Sequence, residues 1–182
     1  MAKKVLIVVD MQNDFIDGAL GTKEAQAIVP KVVDYVRKFI EENPDGTVWM
    51  TQDTHEDNYL ETQEGKNLPV EHCIIGTYGW QLQKDLKEIA RNNNCVKLMP
   101  KPTFGSVNLG SALEAGNDND PISDIYVCGL CTGICVAANC QVIKAFLPEV
   151  PIHVLKDLCA CVTPETHETA LKAMKLCQID II

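Results

Sequence analysis

The chain has 182 residues, 46% of them hydrophobic, enough for one domain with a buried core and a walled pocket. Its 16 basic residues against 25 acidic ones give a formal charge of -9, with no Lys or Arg cluster dense enough to follow a phosphate backbone, which argues against nucleic acid as a partner. No stretch approaches the roughly 18 apolar residues of a membrane span, and nine cysteines, an odd number without an export signal, fit reduced thiols in a cytoplasm better than a disulfide framework.

The opening MAKKVLIVVDMQNDF has a short apolar run that stops at Asp10 without a cleavage site, so it reads as a first strand. Continuous β-branched and apolar runs at residues 5–9, 47–50, 95–99, 125–128 and 152–155 predict strands buried on both faces. Helical spacing separates them: Ala25, Ile28, Val32, Val36, Phe39 and Ile40; then Leu82, Leu86, Ile89 and Ala90; then Val136, Ala137, Cys140, Ile143 and Ala145. A last helix starts near Pro164 and carries Ala170, Leu171, Met174 and Leu176 before the apolar tail 179–182. This alternation predicts an α/β class: a doubly wound, mostly parallel, Rossmann-like sheet in three layers, as a single domain over 1–182. Residues 53–71 and 116–121, the latter reading GNDNDP, are expected as loops, the first long enough to be functional.

In such a sheet ligands collect at the carboxyl ends of the strands, and four predicted strand ends carry reactive groups. They are Asp10, the pair Asp53 and His55, Lys101, and the segment CGLCTGICV. Cys135 follows a strand, a glycine and the Thr132-Gly133 turn and falls at a helix start, where free backbone amides and the helix dipole favour a thiolate and can receive an oxyanion. A nearby carboxylate can take the thiol proton and a lysine can keep it ionised. Cys128 and Cys140 read as small buried hydrophobes, the single CxxC at Cys128 and Cys131 has no second to make the paired knuckle of structural zinc, and the spacing from Cys131 to Cys135 is wrong for the CxxC of a thiol redox protein. Asp53 and His55 alternate at a strand end, and His72 returns after the long loop in PVEHC, together a normal ligand set for zinc, iron or manganese. His153 and His167 read as hydrogen-bonded structural residues.

Taken in order, VDMQNDF, TQDTH, LPVEHCIIGTYGW, KPTFGS and VCGLCTGICV resemble the segments of the nicotinamidase/isochorismatase-like cysteine hydrolases along nearly the full chain. The resemblance implies the isochorismatase-like hydrolase fold and a catalytic triad of Asp10, Lys101 and Cys135. It implies a cis peptide before Cys131, an oxyanion hole from the amides of Cys131 and Cys135, and pocket walls from Phe15 and Leu130. One divalent metal, zinc first with iron or manganese as alternatives, is implied at Asp53, His55 and His72, with Glu64 as a fourth ligand ahead of Glu61. The substrate implied is a small amide, nicotinamide first, and the assembly a homodimer or tetramer. An isochorismatase-like or N-carbamoyl amide hydrolase is the alternative within the fold. The chain departs from the family at Gly133, where an acidic residue is common, and at Leu68 or Val70, where an aromatic often walls the pyridine pocket.

Overall fold

The computed structural model describes residues 2–182. Each expected apolar run forms a strand: β1 (Lys3–Val9), β2 (Thr47–Asp53), β3 (Val96–Lys101), β4 (Ile122–Leu130) and β5 (Ile152–Ala160), with the apolar tail adding β6 (Asp180–Ile181). They pair in the order β3-β2-β1-β4-β5-β6, and every pairing is parallel. Val5 to Val9 are all buried, as expected for a central strand covered on both faces. Strand β3 departs from that expectation. It lies at the sheet edge, where Lys97, Leu98 and Pro100 are exposed and the Lys97 ammonium lies over the Trp49 ring.

The helices in chain order are α1 (Asn13–Ile16), α2 (Lys23–Glu42), α3 (Gln63–Asn67), α4 (Lys84–Asn92), α5 (Val107–Asn119), α6 (Ala137–Phe146) and α7 (Pro164–Leu176). Helix α2 packs on α4 and on β4 and β5, while α5 and α6 pack on each other. The ends are locally coded. Thr22, Gln83, Ser106 and Thr163 each cap a helix by accepting a backbone amide, and Pro164 takes the first position of α7, where its missing N–H costs nothing.

Two expected loops are partly helical. Segment 53–71 holds the end of β2, a 3-10 turn at Tyr59–Glu61, and α3, because the buried Tyr59 anchors it by donating its hydroxyl to the Leu68 carbonyl at 2.9 Å. Residues 116–119 form the last turn of α5, which Ser106 nucleates and Leu109, Gly110 and Leu113 bury. Its Gly- and Asn-rich composition hides that helix, yet Gly110 lies where a Cβ would sit 2.4 Å from the Phe146 ring, so the small residue lets α5 approach α6. Among the described residues no helix is long and apolar enough to cross a membrane.

Candidate active site and metal centre

The strand order reverses between β1 and β4, and a doubly wound sheet opens a ligand crevice at such a point. Asp10 leaves β1 there and Cys135 follows β4. Gly129 holds the two strands close: its φ is 117°, and a Cβ would lie 2.1 Å from the Val9 carbonyl oxygen. The peptide between Leu130 and Cys131 is cis, in the place the resemblance implies. A π-helical turn, Thr132–Val136, then delivers Cys135 to the base of α6. The Cys131 carbonyl accepts from the amides of Ile134 and Val136, on either side of Cys135.

Asp10, Lys101 and Cys135 meet in one buried cluster. Lys101 Nζ lies 2.7 Å from Asp10 Oδ2, an ion pair that leaves this oxygen without a directed hydrogen bond, and 3.5 Å from Cys135 Sγ. Asp10 adopts the left-handed region, φ 48°, at a cost of about 1 kcal/mol. Thr51 holds it there, donating its hydroxyl to Asp10 Oδ1 at 2.6 Å and accepting the Asp10 amide at 3.2 Å.

Burial sets the electrostatics of this cluster. Complete desolvation raises the Asp10 carboxyl above the usual range, Lys101 and Thr51 pull it back, and Asp53 pushes it up. Burial alone would discharge Lys101, but the carboxylates of Asp10 and Asp53 and the Cys135 sulfur outweigh it and hold the ammonium above the ordinary lysine range. The helix start was expected to favour a thiolate at Cys135. Burial and the facing Asp10 carboxylate win instead and push the thiol well up, with Lys101 opposing. The cluster thus sets a thiol and a carboxylate, both raised by burial, against the Lys101 ammonium.

Beside this cluster Asp53, His55, Glu64 and His72 gather their ligand atoms within 4.8 Å of one another. His55 Nε2 stands 2.9 Å from Asp53 Oδ2 and 3.7 Å from Glu64 Oε1, and His72 Nε2 stands 3.6 and 3.8 Å from the same two oxygens. Ligands at about 2.0 to 2.1 Å from a tetrahedral ion stand about 3.3 Å apart, so the four groups fit a divalent cation. His72 Nδ1 donates to the Val70 carbonyl at 2.8 Å, which turns the Nε2 lone pair inward. Burial and the Asp53 charge raise the Glu64 carboxyl, the mark of two carboxylates sharing one small space. Glu61 is exposed and lies outside the group. The PVEHC segment reaches β2 because the His55 amide donates to the Cys73 carbonyl and the Ile75 amide to the His55 carbonyl.

Of the residues expected to wall a pocket, Phe15 puts its ring centroid 5.5 Å from that of His72, while Leu130 is buried at the end of β4. A cleft of about 350 Å³ opens beside the cluster, lined by Thr54, His55, Asn58, Ile75 and Lys101. Leu68 is exposed, and Gly133 packs where a Cβ would stand 3.2 Å from the Ala170 side chain. His167 pairs with Thr132 Oγ1 at 2.8 Å and His153 with Asp124 at 3.0 Å, both outside the site.

Three buried polar residues that spacing does not single out organise the site. Thr51 is one. Gln12 accepts the Asp53 amide at 2.7 Å and donates to the carbonyls of Asp53 and Trp80, tying the end of β1 to the end of β2. Asn139 donates to the carbonyls of Cys135 and Phe104 and accepts the Ser106 amide, tying the Cys135 turn to the segment after Lys101. Gln12 stands inside the VDMQNDF opening and Thr51 begins TQDTH, whereas Asn139 looks like an ordinary helix residue.

Residues 4–182 match the isochorismatase domain family. The nicotinamidase/pyrazinamidase of Mycobacterium tuberculosis is 25% identical over 187 residues, covering 98% of this chain and 98% of that one. The pyrazinamidase of Pyrococcus horikoshii, solved in complex with zinc, is 30% identical with a TM-score of 0.79, covering 99% of this chain and 98% of that chain. A pyrazinamidase/nicotinamidase of Streptococcus mutans UA159 gives 27% and 0.84, covering 99% of this chain and 100% of that chain. Fold and matches together define a hydrolase built on a parallel α/β sheet. The chain belongs to the isochorismatase family.

Proposed function

We propose that the chain is a metal-dependent amidohydrolase that converts nicotinamide to nicotinate and ammonia through a thioester on Cys135. The observation that carries this reading is the single buried cluster in which Lys101 Nζ lies 2.7 Å from Asp10 and 3.5 Å from Cys135 Sγ, next to a four-residue cation site. Asp10, made more basic by burial, accepts the thiol proton as the sulfur attacks the amide carbonyl. Lys101 stays charged and stabilises the carboxylate before transfer. The amides of Cys131 and Cys135 receive the developing oxyanion. The tetrahedral adduct collapses with cleavage of the C–N bond, and Asp10 returns the proton to the departing ammonia. Water then adds to the thioester, Asp10 takes its proton, and release of the acid restores the thiol.

A divalent cation held by Asp53, His55, Glu64 and His72, zinc first with iron or manganese as alternatives, supplies Lewis acidity for a ring nitrogen or an ordered water. The same four residues favour this reading over N-carbamoyl amide hydrolysis. Cys135→Ala decides the role of the thiol: ammonia release from nicotinamide should vanish with the melting temperature little changed. Undiminished release from that variant would refute the proposal, and a panel of small amides ranks the substrates.

A further inference from the structure

Cys131 and Cys161 are far apart in sequence, yet β4 and β5 bring them side by side. The parallel register pairs Leu130 with Ala160, so the next residue beyond each strand is a cysteine. Neighbouring parallel strands lie about 4.8 Å apart, inside the Cα separation of about 4.4 to 6.8 Å that a disulfide spans. The two thiols are free, and each lies close enough to shift the other's proton affinity. Cys131 is half-buried and Cys161 is buried.

Their surroundings divide the roles. Cys161 lies between the end of β5 and the start of α7, beside the Thr166 hydroxyl and the amides of Gly133 and Val162. Burial alone would raise this thiol; those donors outweigh it and hold Cys161 below the ordinary thiol range, which makes it the nucleophile of the pair. Burial and the neighbouring Cys161 push Cys131 up to about 12. Gly133 packs beside this sulfur: a Cβ there would sit 3.6 Å from Cys161 Sγ, an ordinary contact. Cys128, Cys135, Cys140 and Cys159 are buried and their thiols are raised, which disfavours them as competitors for an oxidant, while Cys177 is exposed and Cys95 half-buried.

We propose that Cys131 and Cys161 form an oxidisable dithiol site that takes a peroxide as its substrate and closes to a disulfide, silencing the neighbouring hydrolytic centre. The Cys161 sulfur attacks a peroxide oxygen, the O–O bond breaks, and Cys161 sulfenic acid and one water form. Cys131 then gives up its thiol proton and its sulfur attacks Cys161 Sγ; the S–O bond breaks and a second water leaves. Two thiols are oxidised and one hydrogen peroxide is reduced to two waters. The disulfide draws the sulfurs to about 2 Å, and Cys131 heads the turn Thr132–Val136 that carries Cys135. A displacement of about 1 Å at a reacting atom costs about a hundredfold in rate. That loss of activity rests on the proposed function, whereas the disulfide itself does not.

The test treats the full chain with equimolar hydrogen peroxide and reads intact mass, a non-reducing peptide map and ammonia release from nicotinamide. The expected result is the loss of two hydrogens per chain, a cross-link between the peptides of Cys131 and Cys161, and about a hundredfold fall in activity that dithiothreitol restores. Cys161→Ser should keep the activity of the untreated chain and resist the same dose, with Cys161→Ala as a second variant should the serine fold poorly. A map that joins other cysteines, or shows no cross-link, overturns the site. Equal and equally reversible inactivation of the Cys161 variants overturns the switch. If the untreated chain releases ammonia from no amide, the proposed function fails, while the peptide map still decides the dithiol site.

Discussion

Replacing Asn139 with leucine removes the clamp on Cys135 while nearly keeping the side-chain shape. The amide group of Asn139 donates to the Cys135 carbonyl at 2.8 Å and the Phe104 carbonyl at 3.0 Å and accepts the Ser106 amide at 3.0 Å. Each such bond contributes about 1 kcal/mol net, and the Ser106 amide, left buried without its acceptor, adds about 1 more, for about 3 to 4 kcal/mol in all. With a urea slope of about 2 kcal/mol per molar, the unfolding midpoint should fall by about 1.5 to 2 M. Freeing the Cys135 turn from the Lys101 segment should also lower kcat about tenfold or more, with less change in KM, because geometry at the reacting sulfur is what suffers. A midpoint shift below about 0.5 M together with an unchanged kcat would refute this account of Asn139.

Thr51→Val deletes both hydrogen bonds to Asp10, and since the Thr51 hydroxyl favours the ionised carboxylate, the already raised Asp10 moves higher. On the proposed mechanism activity requires the carboxylate and rises with pH through this group; the acid limb of kcat/KM should shift upward by about one unit per 1.4 kcal/mol lost, and a downward shift would contradict the role of Asp10. Metal analysis of the purified chain should find about one divalent ion, and His72→Ala should lose it. At an ion concentration about 100 times its Kd the native chain gains about 2.7 kcal/mol, read as a higher melting temperature that a chelator abolishes. Gly129→Ala places a methyl 2.1 Å from the Val9 carbonyl oxygen in backbone with φ 117°. The variant should lose about 4 kcal/mol or more and accumulate as insoluble protein, and a soluble variant with native melting would overturn the close-approach argument.

The strands were legible in the sequence because a strand covered on both faces must be apolar along its whole length, which residues 5–9 and 125–128 satisfy. The site was legible where a charged residue ends such a run: Asp10, Asp53 and Lys101 declare themselves because an unpaired charge there would be costly. Helix α5 and the helical pieces of 53–71 were not legible, since Gly110 and Tyr59 act through distant partners, Phe146 and Leu68. Likewise nothing local in Thr51 or Asn139 reveals that each bonds residues far away in the chain. The cysteines show the division most sharply. Sequence alone fixed nine thiols and the strand-turn-helix position of Cys135. Tertiary structure decided that burial raises the Cys135 thiol, that Glu64 and not Glu61 gathers with the histidines, and that the β4–β5 register brings Cys161 beside Cys131. Proton affinity and pairing depend on what surrounds a side chain in space, and the register of β4 on β5, like the register of β1 on β4, is set by the packing of the whole sheet.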